Sequence, residues 1–185
     1  VADKPYEAPP DSGFNIEALE FSPDEVSGYL GFRAPTINVS GTQHALIVPV
    51  TNILELVDGV GVQSGRAQFG EPIFLNLAGR SIRSLCRNDS SGYLISAGPP
   101  DNATPGVNDT WALYTWDGDP EHAPVLNQEL PAPDPFTTGT WESIVSVPDP
   151  MLPGAAFRLV ADSGDTDFYG IGQTKDLITG LQKSY

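Results

Sequence analysis

Apolar residues along this chain recur in short runs separated by Gly, Pro, Asn and Asp, and no window keeps the 3.6-residue spacing of a long amphipathic helix. Gly28-Tyr29-Leu30-Gly31-Phe32, Ala45-Leu46-Ile47-Val48-Pro49-Val50, Pro72-Ile73-Phe74-Leu75-Asn76-Leu77, Gly92-Tyr93-Leu94-Ile95-Ser96 and Ala112-Leu113-Tyr114-Thr115-Trp116 are rich in β-branched or aromatic residues and bounded by turn formers. They predict strands. One helical turn is expected at Ile53–Val57, with Thr51 or Asn52 as its cap. Residues 1–13 carry four charges and three prolines with little to bury, and read as an extended arm, so regular structure is expected from about Phe14.

The strand pattern repeats. Ile16-Glu17-Ala18-Leu19, Ile82-Arg83-Ser84-Leu85 and Trp141-Glu142-Ser143-Ile144 each read apolar, charged, small, apolar, with the charged positions 66 and 59 residues apart. In the first two units a Gly-Tyr-Leu strand and then an Ala-Leu strand follow in the same order. Such a unit holds four short antiparallel strands, the content of one β-propeller blade. The expected fold is all-β, a partial β-propeller of about three four-stranded blades, with boundaries near 14–80, 81–139 and 140–185. A propeller closes with roughly four to eight blades. An open stack of three leaves sheet faces uncovered, so the ring is expected to be completed by another chain: a second polypeptide from the same precursor, favoured because the sequence begins without Met, or an identical copy.

Charge and composition narrow the partners. With 9 Lys and Arg against 24 Asp and Glu, the formal charge is −15. That balance excludes the basic face needed by a nucleic-acid binder or a polybasic membrane-surface protein. No stretch approaches the roughly 20 apolar residues of a membrane-spanning helix. Gly (19) and Pro (18) together argue against a helical bundle. Asn38, Asn88, Asn102 and Asn108 head N-x-[ST] sequons, four of eight asparagines where chance gives roughly one. The expectation is a secreted, extracellular glycoprotein; the alternative is that Asn and Thr merely crowd turns. Cys86 is the single cysteine, either a buried thiol or half of an intermolecular bridge.

Several segments together carry a family resemblance: Asn15-Ile16-Glu17-Ala18-Leu19, Leu30 to Pro35, Ala45 to Asn52, Tyr93-Leu94-Ile95 with Ala97-Gly98-Pro99, Ala112 to Gly118, and Asp162 to Gly170 followed by Lys175-Asp176-Leu177. From Phe14 onward the chain resembles the carboxy-terminal half of a secreted bacterial and fungal domain family of unknown function, itself similar to the esterase-like phytase propellers. The resemblance implies a complete domain about twice this length. Ala18 departs from it, since the family more often has Gly after the Glu.

In a propeller the innermost strands line a central channel, so the repeat alignment brings Glu17, Arg83 and Glu142 to one polar funnel. Two carboxylates around a guanidinium can hold a sugar hydroxyl, an anion or a hard cation. Resemblance to the calcium-dependent propeller hydrolases implies a metal-ligand role for Glu17, with calcium as the one possible cofactor. The plainer reading is that these charges pair with each other. Arg33, at a strand end, either reaches a ligand at the propeller face or braces loops. His44 and His122 are expected on the surface or in loops, too far apart in sequence for a shared metal.

Asp162 to Asp167 alternates oxygen ligands with small residues but lacks the Gly and Glu of an EF-hand loop, so a hairpin turn is expected. Asp117-Gly118 reads as a turn. There is no G-x-S-x-G elbow and no phosphate loop. Trp111, Trp116, Trp141, Tyr29 and Tyr93 are expected mostly in the core. The leading expectation is a subunit that binds a small polar ligand, such as a carbohydrate, at the channel face. The alternatives are a calcium-dependent ester or phosphoester hydrolase and a structural or storage glycoprotein.

Overall fold

A computed structural model describes residues 13–57, 65–90, 92–100, 110–131, 139–162 and 167. The arm, Asn102, Asn108 and most of the Asp162 to Asp167 stretch lie outside the described residues. The chain is all-β, built of several antiparallel sheets, none of them closed among the described residues. No helix among the described residues is long and apolar enough to cross a membrane.

The first sheet runs β1 (Asn15–Phe21), β2 (Gly28–Ala34), β4 (Thr42–Val50), β5 (Ile73–Leu75), each antiparallel to the next. A short β3 (Ile37–Val39) pairs with the first half of β4 through a tight turn in which Ser40 and Gly41 both have positive φ, 52° and 90°. After β4 the chain makes the expected single turn of helix, α1 (Ile53–Val57). Asn52 holds this corner, although not as a side-chain cap: its Oδ1 accepts from the Gln68 amide at 2.8 Å and its Nδ2 donates to the Arg66 carbonyl. The returning segment takes up the oxygen that a helix cap would use.

The second sheet is a four-stranded meander, β6 (Ser81–Arg87), β7 (Tyr93–Gly98), β8 (Trp111–Trp116) and β9 (Val125–Leu130). A hairpin of β10 (Thr140–Ser146) and β11 (Arg158–Asp162) follows. The strands β3, β9 and β11 escaped the sequence reading because each is short or carries polar residues on an exposed face.

The sheets stack face to face. Tyr29, Ala45, Ile47 and Leu75 of the first interleave with Ile82, Tyr93, Ile95 and Tyr114 of the second in the main core. Leu94 and Leu113, on the opposite face of the second sheet, pack on Ile144 of the hairpin. Strand β7 is therefore buried along its whole length, with odd residues turned one way and Leu94 the other. Gly31 sits between its own sheet neighbour Ala18 and the second sheet: a Cβ there would lie 2.9 Å from Ala18 Cβ and 3.0 Å from Ile82 Cγ2. Tyr29, Tyr93 and Trp116 form one aromatic cluster, with the tilted Tyr93 and Trp116 rings 5.4 Å apart. Each finds a carbonyl for its polar tip: Tyr29 Gly118, Tyr93 Phe21, and Trp116 both Asp119 and His122.

Candidate functional site

Strands β1, β6 and β10 lead the three sheets, and each carries a bulge at the same place. Ile16 pairs with Phe32 and Ala18 with Gly31, leaving Glu17 as the extra residue. Likewise Ile82 pairs with Ala97 and Ser84 with Ser96, leaving Arg83, while Trp141 and Ser143 pair with Ala161 and Val160, leaving Glu142. A bulge bends the strand and re-aims the extra side chain. Here it turns the three charged residues of the repeat toward one another.

Arg83 Nε lies 2.9 Å from Glu17 Oε2, and Arg83 Nη2 donates to Glu142 Oε1. The Thr140 hydroxyl donates to the same oxygen of Glu142. From the end of β2, Arg33 brings Nη1 to 3.4 Å from Glu17 Oε1 while its Nε donates to the Pro100 carbonyl. The four expected site residues thus form one row of alternating sign: Arg33, Glu17, Arg83, Glu142.

The row is graded in depth. The Arg83 side chain is 2% exposed and Glu17 15%, whereas Arg33 and Glu142 are 28% and 29% exposed. Burial raises the Glu17 pKa above the ordinary carboxylate value, Glu142 adds to the rise, and Arg83 and Arg33 oppose it. Burial likewise lowers that of Arg83. The Arg83 guanidinium also rests over Trp111, 5.4 Å from the ring centroid. Trp111 can lie there because position 98 is Gly: a Cβ would stand 2.4 Å from the indole.

Calcium takes about six to eight oxygen ligands at roughly 2.3–2.6 Å. Both Glu17 oxygens instead face guanidinium nitrogens, at 3.4 and 2.9 Å. Among the described residues no group of three or more His, Cys, Asp or Glu side chains converges. The donor set around Glu17 does not fit calcium, because a fixed positive charge already stands on each side of the carboxylate.

Other singled-out residues fall elsewhere. His44 is half-buried within strand β4 rather than in a loop, its Nδ1 3.0 Å from the Thr42 carbonyl. His122 is exposed and pairs with Asp117 at 2.6 Å, which raises its pKa. Cys86 is a half-buried free thiol on β6 that donates to the Ile144 carbonyl, and burial raises its pKa. Trp111, Trp116, Tyr29 and Tyr93 are buried, and Trp141 is half-buried with its Nε1 donating to the Pro131 carbonyl. Asn38 is exposed, whereas Asn88 is buried, its Nδ2 donating to the Pro148 carbonyl and its Oδ1 accepting from the Gly92 amide.

Arg80 has no counterpart in the sequence reading. Its side chain is 2% exposed and donates to the Tyr114 hydroxyl, the Thr110 hydroxyl and Glu129, fastening the entry of β6 to β8 and β9. A single Arg before a strand carries no sequence signal for such a role. Comparison with protein-family models, curated proteins and solved structures finds no match to this chain.

Proposed function

We propose that this chain is a secreted glycoprotein subunit of a β-propeller, completed by a second polypeptide, and that it binds a small uncharged polar ligand, of the carbohydrate class, where β1, β6 and β10 meet. One observation carries the reading: the row Arg33, Glu17, Arg83, Glu142 alternates donors and acceptors and sums to zero formal charge. Adjacent hydroxyls of a sugar each donate and accept, so they complement such a row, while a strongly charged ligand meets an opposing charge at every second position. In this reading the more exposed Arg33 and Glu142 contact the ligand, and the buried Glu17 and Arg83 hold them in place.

The repeat and the family resemblance support the propeller part, and the sequon excess supports secretion. Glycan-array screening followed by calorimetric titration of the isolated native protein tests the binding. Saturable saccharide binding, indifferent to EDTA and weakened about tenfold or more by Glu142→Gln or Arg33→Gln, is the expected result, since a hydrogen bond to a charged group contributes about 1.5–3 kcal/mol. Absence of any saccharide binding overturns it.

A further inference from the structure

The second sheet shows what a four-stranded sheet of this fold requires: a neighbouring sheet on each face, with β7 buried throughout. Among the described residues the first sheet has only one such neighbour, although Phe32 and Leu46 on its other face are already buried. Its other face follows from the register: Leu19 pairs with Leu30 and Leu30 with Val48, Phe21 pairs with Gly28, and Leu46 pairs with Phe74. These residues alternate with Ala18, Tyr29, Ile47 and Ile73, which enter the core, so they form the opposite surface. Leu19 is 60% exposed, Phe74 45%, Phe21 41% and Phe14, edge-on to Phe32, 54%. An apolar groove of about 280 Å³ runs between Leu19, Phe21 and the α1 side chains Ile53 and Val57. Contiguous apolar surface of this kind marks an interaction site.

We infer that this face docks a β-sheet of a different polypeptide, packed as the second sheet packs on the opposite side, with alternating apolar residues on the contacting strands. A second copy is the poorer occupant, because two chains of formal charge −15 repel. A sheet is favoured over a helix because both interfaces the second sheet makes inside the chain are sheet on sheet, and this face continues the same stack. The inference rests on the reading that other protein completes the domain, but its apolar side chains are not those of the ligand row. A failed saccharide titration therefore leaves it standing.

The test is photo-cross-linking of the full chain made in its native host, with a benzophenone side chain in place of Phe74 and, as control, in place of the exposed Asn127 of β9. The expected adduct from position 74 joins a peptide of a different polypeptide with apolar residues at alternate positions, and the control gives no such adduct. Adding Leu19→Glu, in a chain whose near-ultraviolet circular dichroism is retained, is expected to cut the yield about tenfold, the equivalent of some 1.4 kcal/mol of binding. An adduct to a second copy, an adduct within the same chain, no adduct, or a yield unchanged by Leu19→Glu each overturns the inference.

Discussion

Arg83 Nε stands 2.9 Å from Glu17 Oε2, although 66 residues separate the two in sequence, because each is the extra residue of a bulge in the leading strand of its sheet. The pair joins the first sheet to the second, and Glu142 extends the link to the hairpin. Removing the central cation leaves the buried Glu17 carboxylate with only the more exposed Arg33, 3.4 Å away, as its counter-charge. Arg83→Met is expected to cost about 3–5 kcal/mol in urea unfolding, as for other broken buried pairs. Glu142→Gln, at the exposed end, is expected to cost about 1 kcal/mol or less. Equal losses from the two would contradict the graded burial.

Stability should respond to Glu17 with an unusual sign. Its folded-state pKa is raised above 4.5, so the folded chain holds this proton more tightly than the unfolded one. That contribution is fully present below the unfolded value and is lost as pH rises through the folded value. Glu17→Gln removes the titration. The stability of the variant relative to the parent is therefore expected to improve as pH rises from about 4 to 7, read from urea midpoints at each pH. A relative stability that falls over that range would count against a buried, raised Glu17.

Asp24 behaves oppositely. Its carboxylate accepts from the Ser22 hydroxyl and from the Val26 and Ser27 amides, and the Ser22 bond is the largest cause of a pKa brought down to about 2. Its contribution is present above the unfolded value of 3.8 and is lost as pH falls toward 2. Asp24→Ala should flatten that part of the acid-unfolding profile and leave the neutral region with a small, pH-independent loss. A profile identical to the parent's between pH 4 and 2 would show that the turn does not hold the charge.

Gly31→Ala places a methyl group 2.9 Å from Ala18 Cβ and 3.0 Å from Ile82 Cγ2, where the two sheets meet. The sheets must separate or the strand must shift, and a cost of about 1–3 kcal/mol is expected from chemical unfolding. Ala18→Gly in the same chain removes one of the two clashes and should restore part of the loss. No restoration would place the strain elsewhere.

Among the sequons described, Asn38 and Asn88 should differ. Asn38 lies beside an exposed turn, while the Asn88 amide is buried and bonded on both sides to Pro148 and Gly92. In a eukaryotic secretory host, glycan is expected at Asn38 and not at Asn88, as read by mass spectrometry after enzymatic deglycosylation in heavy-oxygen water. The reverse occupancy would mean that the folded environment of Asn88 does not govern its modification.

The alternation of apolar and polar residues and the density of Gly and Pro determined that this chain is all-β, because those features act locally, through strand pleat and turn geometry. The repeated apolar, charged, small, apolar pattern also singled out Glu17, Arg83 and Glu142. Sequence alone left open whether those charges solvate a channel, bind calcium or pair with one another. Only the tertiary structure decided that Arg33 and Arg83 flank both oxygens of Glu17, since a bulge redirects a side chain according to strand register, which no single strand encodes. The same holds for Asn88, an accessible sequon by its motif and a buried bracket in the fold, and for Arg80, whose partners Thr110 and Glu129 are 30 and 49 residues away. Burial and ion pairing depend on which sheets meet, and that is settled by the packing of all of them together.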